Sequence, residues 1–489
     1  MNEIILYLCV IAPLVCGLPV AIFGWRVTLG WLQVISSIVT LGSGIFFASR
    51  VSGADTYYLG DLIRLDAITA WMLIVIGSVS FLASLASIGY LVNEGERGTL
   101  SHAQQRTYGS LIPVFVTAMT CVVISNNLGI IWVAIEATTI STAFLVGIKG
   151  DSKAIEAAWK YVIICSFGIS LALLGILLIY FAAVSVNVSP SEALNLSVLA
   201  HNARRLPVST TTLAMAAMML GFGAKAGLVP FHTWLPDAHG QAPAPVSALM
   251  SGVLLSVAFS VLLRLKLISD IALGAAFFKN GLLALGMLSI IVASLLMIGQ
   301  KDYKRLLAYS SIENMGLLAL GATGNSKLVL EAVLLQILLH GIGKAVLFIS
   351  AGQLHQLTHS TLVARAIGIS RKSVWLASFI AIGMISIAGL PPFAMFGTEV
   401  TIVRSLISIH LIIPLIVTAI FLLLAFASFS QIGIEMLFGE PILDGTNWVL
   451  SGHFVLPLIL GVAALVGLGF FGGELISFLH TSASLLVSS

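Results

Sequence analysis

The chain has 489 residues, of which 59% are hydrophobic and 9% charged. Soluble domains carry about 25% charged residues, so this composition excludes a soluble enzyme and describes a polytopic membrane protein whose solvent is the lipid bilayer. A formal net charge of +3 is too small to argue for nucleic acid as a partner.

Apolar runs of spanning length, roughly 20 residues each, recur along the whole chain. They lie near 4–22, 30–49, 67–92, 110–126, 128–147, 158–186, 210–228, 244–263, 281–299, 306–323, 329–352, 374–405, 409–436 and 452–479. These predict an all-α fold of about 14 transmembrane helices. The first run follows the acidic start MNEI and reads as a retained helix, not a cleaved signal peptide. The longest polar gaps, near 93–109, 187–209 and 353–373, are short loops. Cys9, Cys16, Cys121 and Cys165 sit in apolar runs without CxxC spacing. They read as buried packing, and no Cys or His cluster is present to hold a metal or redox cofactor.

Orientation follows the lysines and arginines of the loops. With this helix count, nine fall on the N-terminal side and twelve opposite, Lys225 and Lys344 completing the 23. The bias puts both termini on the outer face of the membrane.

Two segments carry nearly the same interruption, GLVPF from Gly227 and GLPPF from Gly389. Each falls in the fourth span of a block of five. The expected organisation is an N-terminal part (1–109), a first repeat (110–266), a second repeat of inverted topology (267–436) and a C-terminal helix (437–489). Inverted repeats with one broken helix each point to a transport path near the bilayer midplane. A proline inside a helix frees backbone groups that need water or polar side chains in lipid.

Five ionisable residues fall inside predicted spans: Glu136, Lys225, Glu313, Lys344 and Glu399. Each costs about 2.5–3.5 kcal/mol at the centre of a membrane helix, or about 12–17 kcal/mol together before pairing. No arginine is among them. Arginine keeps its proton, whereas a buried lysine releases and regains one as a carboxylate withdraws and approaches. Glu136 and Lys225 therefore read as a proton-loading pair. Thr138, Thr139, Ser141 and Thr142 follow Glu136 and can hold water or bond back to the helix. Ser310, Glu313 and Asn314 share a helix face, as do His340 and Lys344. Histidine titrates near neutral pH, so His340 stacked over Lys344 suits a relay. His232, Asp237 and His239 follow the first break and either guard a channel mouth or cap helix ends. Lys160 and the run KDYKR (301–305) read as interfacial anchors.

Several long phrases carry a resemblance: NNLGIIWVAIEATTISTAFLVGI, EAAWKYVIIC, GFGAKAGLVPFHTWLPDAHGQAPAPVSALMSGVLL, KDYKRLLAYSSIENMG and HGIGKAVLF. From about residue 60 to 440 the chain resembles the antiporter-like subunits of respiratory complex I and Mrp-type antiporters, hydrogenase-4 component F most of all. The resemblance implies fourteen helices, inverted five-helix repeats and a hydrophilic axis. It matches Glu136, Lys225, Lys344 with His340, and Glu399 to the family's ionisable positions in spans five, seven, eleven and twelve. Many relatives carry a base in mid span eight, where this chain has Ser256.

The expected function is a proton-translocating, non-catalytic subunit of an energy-converting redox complex in a prokaryotic inner membrane, of the membrane-bound nickel-iron hydrogenase or formate hydrogenlyase type. Its expected partners are other membrane subunits and a peripheral arm of hydrogenase and iron-sulfur subunits. A cation/proton antiporter or inorganic-carbon pump subunit is the first alternative, and a scaffold with a vestigial proton path the second.

Overall fold

The computed structural model describes residues 2–51, 56–440, 448, 450, 452–470 and 473–486. The protein is nearly all helix and integral to the membrane. α1 (Asn2–Phe23), α2 (Val27–Arg50), α3 (Ala67–Glu96) and α4 (His102–Ile124) form the N-terminal part. A two-stranded hairpin, Tyr57–Leu59 with Ile63–Leu65, joins α2 to α3. α5 (Leu128–Val146), α6 (Ser152–Ser185) and α7 (Leu196–Asn202) follow. Side-chain caps start these helices: Asp66 for α3, a Ser101–Gln104 capping box for α4, Asn127 for α5 and Asp151 for α6. Each satisfies backbone N–H groups that have no partner within the helix.

α8 (Val208–Lys225) ends at the first break and α9 (Trp234–Gln241) resumes after it. α10 (Ala244–Leu249) and α11 (Leu255–Leu273) are one continuous span with a π-helical turn at Met250–Leu254. Then come α12 (Ala275–Met297), α13 (Tyr303–Gly321) and α14 (Lys327–Thr358). α15 (Ile369–Lys372) precedes α16 (Val374–Ile387), which stops at the second break before α17 (Ala394–Ser408). α18 (Ile412–Phe438), α19 (Gly452–Phe470) and α20 (Gly473–Ser484) complete the chain.

Each predicted run overlaps at least one helix among the described residues. Among the described residues, eleven helices are long and apolar enough to cross a membrane, or twelve if the bent pair Val363–Lys372 and Val374–Ile387 (116°) is one span. The shortfall against fourteen has physical causes. α8 is 18 residues long, carries Ser209, Thr210, Thr211 and Thr212 near its start and ends on Lys225; α13 carries Lys304, Arg305 and Glu313; and the second break leaves α16 and α17 only 14 and 15 residues long. In the run 452–479 the described helices are Gly452–Phe470 and Gly473–Ser484; residues 471–472 lie outside the described residues.

The two breaks share one backbone design. In the first, the N–H groups of Ala226, Gly227, Leu228 and Phe231 donate to the carbonyls of Phe222, Ala224, Gly223 and Leu228. In the second, those of Ala388, Gly389, Leu390 and Phe393 donate to Met384, Ser386, Ile385 and Leu390. Gly227 (φ +79°) and Gly389 (φ +61°) hold the left-handed conformation that closes a helix end. Each is followed by a proline that cannot continue the helix.

The core lies where α3, α10, α11, α13 and α14 meet. The most hydrophobic 18-residue windows of α10–α11 and α14 are 100% and 94% buried. At the crossing of these two spans, a Cβ on Gly252 would stand 2.8 Å from the Gly341 carbonyl oxygen, and one on Gly341 2.8 Å from that of Gly252. Backbone therefore rests on backbone.

Candidate functional site

The first half of the site is built by α5, α6 and the last residue of α8. Lys225 is fully buried. Its Nζ donates to Thr139 Oγ1 (2.8 Å) and Tyr161 OH (2.7 Å). Tyr161 OH also shares a 2.5 Å hydrogen bond with Thr142 Oγ1. Trp234 packs on the Tyr161 ring (4.9 Å between centroids) and ties back to the Ala224 carbonyl (3.1 Å). Glu136 stands on the same helix as Thr139, and its Oε1 accepts from Ser166 Oγ (3.0 Å). Its Oε2 has no hydrogen-bond partner among the described residues. Lys225 and Glu136 form no ion pair within 4.0 Å. The lysine rests on neutral oxygens, and the carboxylate faces α6.

The second half is built by α13, α14 and α17. Lys344 is fully buried, and its Nζ donates to the Leu307 carbonyl (2.7 Å) and to Ser310 Oγ. His340, one turn earlier, is also fully buried, and neither ring nitrogen has a partner among the described residues. Ser310 and Glu313 line a cavity of about 600 Å³ together with Glu399 and Arg404. Its remaining walls are apolar and include Phe396, Phe426 and Phe429. Glu399 folds back over the second break, so that a Cβ on Gly389 would collide with its carboxylate.

Between the halves, Ser251 Oγ and Ser311 Oγ share a 2.7 Å hydrogen bond. Ser256 is fully buried and His232 lies buried in the first break, and among the described residues neither Ser256 Oγ nor His232 Nδ1 has a hydrogen-bond partner. Unpartnered buried polar atoms in such number call for ordered water.

The charged residues depart from the sequence reading in three places. Lys304 of the KDYKR run is no surface anchor: it is 3% exposed and donates to the Ala242 carbonyl (3.0 Å). Arg305 and Lys160 clamp Asp237, at 2.9 and 3.3 Å, and so tie α9 to α13 and α6. Arg264 and Lys266, read as loop residues, are buried in α11. Arg264 makes a bidentate pair with Asp66 (2.7 and 2.9 Å), and Arg64 adds a 2.9 Å contact. Burial alone would raise the Asp66 carboxyl, but Arg264 and Arg64 overcome it and hold the group below the ordinary carboxylate range. His239 is fully buried with both ring nitrogens unpartnered among the described residues. A buried charge that finds its partner on a distant element leaves no periodic signal, so packing alone exposes these residues.

A family model described as the membrane part of NADH:quinone oxidoreductase and Mrp antiporters matches residues 125–426. The chain is 31% identical over 439 residues to a hydrogenase-4 component F homolog of Methylacidiphilum infernorum, covering 88% of this chain and 90% of that protein. It is 28% identical over 396 residues to hydrogenase-4 component B of Escherichia coli, covering 78% of this chain and 56% of that one. Among solved structures, the fold matches a chain of an archaeal membrane-bound sulfane sulfur reductase with a TM-score of 0.88 at 21% identity, over 99% of this chain and 98% of that one. It matches a chain of the Mrp complex from Dietzia sp. DQ12-45-1b with a TM-score of 0.86 at 18% identity, over 99% and 97%.

Proposed function

This chain belongs to the NADH:quinone oxidoreductase/Mrp antiporter family of membrane subunits, and on that premise we propose that it moves protons across the membrane for an energy-converting redox complex. The complex is of the membrane-bound nickel-iron hydrogenase type. One observation supports this most: Lys225 and Lys344 are both fully buried and both held by neutral oxygens only. A structural ion pair would bring a carboxylate to each, as Asp66 is brought to Arg264. A lysine without a fixed counter-charge can take up and release a proton.

In this reading Lys225 loads a proton under the control of Glu136. Lys344 and His340 receive one in the second half, and Glu313 and Glu399 pass it on through the cavity beside them. His232 and Ser256 order water along the way. The matched breaks support two inverted repeats (110–266 and 267–436) within a fourteen-span subunit. Hydrogenase and iron-sulfur subunits supply the energy, a class suggested by the names of the two hydrogenase-4 relatives. The slight excess of basic residues on the 147–153 and 365–372 side favours termini on the outer face of a prokaryotic inner membrane.

The test is the pH gradient formed by inverted vesicles that hold the complete complex and are driven by its own redox reaction. Lys225→Ala assembles but forms no gradient. Lys225→Arg fails as well, because a guanidinium keeps its proton. A wild-type gradient from the arginine variant would remove the lysine from the mechanism. Co-purification of hydrogenase and iron-sulfur subunits checks the partners, whereas an assembly of antiporter-type subunits alone would turn the reading toward a cation/proton antiporter.

A further inference from the structure

We propose that Tyr161 is the positioning residue through which the first helix break acts on Lys225. Its hydroxyl holds the amine, and its ring follows α9. The proposal rests on the proton-translocating reading above and names what couples the lysine to the break.

α6 lies along the whole break. Gly168 gives Ala224 room, since a Cβ on that glycine would stand 2.5 Å from the Ala224 Cβ. The Phe167 ring packs on Phe231 with centroids 5.7 Å apart, and the Tyr161 ring packs on Trp234 at 4.9 Å. Lys160 pairs with Asp237 at 3.3 Å. Adjacent residues of α6, Lys160 and Tyr161, are thus both fastened to α9. Trp234 also reaches back across the break, its Nε1 donating to the carbonyl of Ala224, the residue before Lys225 (3.1 Å). Of these α6 residues, Tyr161 is the one that hydrogen-bonds Lys225 as well (2.7 Å).

The hydrogen bonds give the hydroxyl one direction. Thr142 Oγ1 donates to the Thr138 carbonyl at 2.5 Å. The 2.5 Å bond between Thr142 and Tyr161 is then donated by the tyrosine. With its hydrogen committed to Thr142, the Tyr161 oxygen accepts from Lys225. Thr139 is arranged likewise: it donates to the Ile135 carbonyl (3.3 Å) and accepts from the lysine (2.8 Å). Both oxygens around Nζ are therefore acceptors, the surroundings an ammonium requires. Two of its three N–H groups are held, and the third has no acceptor among the described residues. That third proton is the one free to leave.

Nζ lies 4.8 Å from the centre of the Tyr161 ring but 2.7 Å from its hydroxyl, so the hydroxyl and not the ring face holds the amine. For packing alone phenylalanine would serve, without a hydroxyl whose burial must be compensated. A shift of α9 against α8 carries Trp234, and with it the Tyr161 ring, away from the amine. The ammonium then has one acceptor fewer and gives up its proton. The other ionisable groups that act on Lys225 are Glu136 of α5 and Cys165 of α6, one turn beyond Tyr161.

The test uses the complete complex in proteoliposomes. Tyr161→Phe keeps a ring against Trp234 and removes the hydroxyl alone. The alkaline limb of its redox-driven proton pumping should move about one to two pH units toward acid, the scale of one hydrogen bond to a charged group. The sign follows from the ammonium: with one acceptor fewer it loses its proton at lower pH, so loading fails sooner as pH rises. Glu136 and Cys165 are unchanged in this variant, so the shift belongs to the hydroxyl. Should Tyr161→Phe fail to assemble, Thr142→Val removes the acceptor that orients the hydroxyl and should move the limb the same way. Trp234→Phe keeps a ring and the tyrosine but loses the N–H to Ala224. Its limb should stay in place while protons moved per redox turnover fall roughly two- to thirtyfold, the scale of changes along a coupling element. An unmoved limb in Tyr161→Phe or Thr142→Val, while Lys225→Ala is inactive, overturns the proposal and leaves the general reading standing. Uniform loss at every pH with the limb unmoved counts the same way, because packing alone would give it. Wild-type coupling by Trp234→Phe overturns the link to the break. Normal pumping by Lys225→Ala overturns this proposal and the general reading together.

Discussion

The two helix breaks have the same hydrogen bonds and the same left-handed glycine, yet they present opposite chemistry. At the first, the residue two before the glycine is Lys225, sealed from solvent and held by Thr139 and Tyr161. At the second, that position is Ile387, and the ionisable group is Glu399, which borders an open cavity with Glu313. The first break still has a backbone donor to satisfy: Val229 N–H bonds Ser289 Oγ at 3.0 Å. The second has Pro391 there and no donor at all. The break is thus a geometric device, and the side chains around it decide whether it holds a closed base or an open acid pair. Such a division suits a path that takes protons up in one half and gives them up in the other.

The largest test of this contrast writes the second break's residue into the first. Lys225→Ile should lower the initial rate of gradient formation by about 10²-fold or more, read as redox-driven acidification of vesicles. Near-normal pumping would mean that the chemistry of the first break is idle. A smaller effect is expected of Glu136→Gln, a several-fold loss, since its carboxylate acts on the lysine from a distance and does not bind it in this conformation. If that variant matches wild type across pH 6–9, control of Lys225 by Glu136 is wrong. The contrast between open and sealed is checked by labelling. After replacement of the four native cysteines, Val403→Cys in the cavity wall should react with a membrane-permeant maleimide about tenfold faster than Ala226→Cys, because only exposed thiolate reacts. Equal rates would erase the distinction. The smallest effect is structural. Ser289→Ala leaves the Val229 N–H unpaired and should cost about 1–3 kcal/mol of stability, seen as a lower Tm in detergent. Val229→Pro, the residue of the second break, should remove that penalty when the two changes are combined.

The parts that the sequence made legible were those with local signatures. Apolar runs gave the helices, and GLVPF and GLPPF marked both breaks, because glycine and proline act on their own backbone. Lys225, Lys344, Glu313 and Glu399 stood out because charge is rare in such runs. Lys304 stayed hidden: beside Asp302, Lys301 and Arg305 it has the pattern of a solvated helix start, and only the packing of α9 against α13, with the Ala242 carbonyl on its Nζ, makes it a core residue. Arg264 looked like a loop residue until Asp66, far off in sequence, was seen against it. His239 could not be distinguished from a helix cap, for its stacking partner is on α14. The separation of Glu136 from Lys225 and the cavity beside Glu399 are relations between helices, which periodicity within one helix does not encode.

The contact of Gly252 with Gly341 has a mechanical consequence. Side chains can absorb small displacements by changing rotamer, but two backbones in contact have nothing to deform. The two spans are stiff against compression at that point, with Val79 of α3 over both glycines. A push along α14 is therefore passed to the π-helical turn as displacement, not dissipated as repacking. The crossing behaves as a fulcrum, and the lever formed by α14 carries His340 and Lys344 beside it.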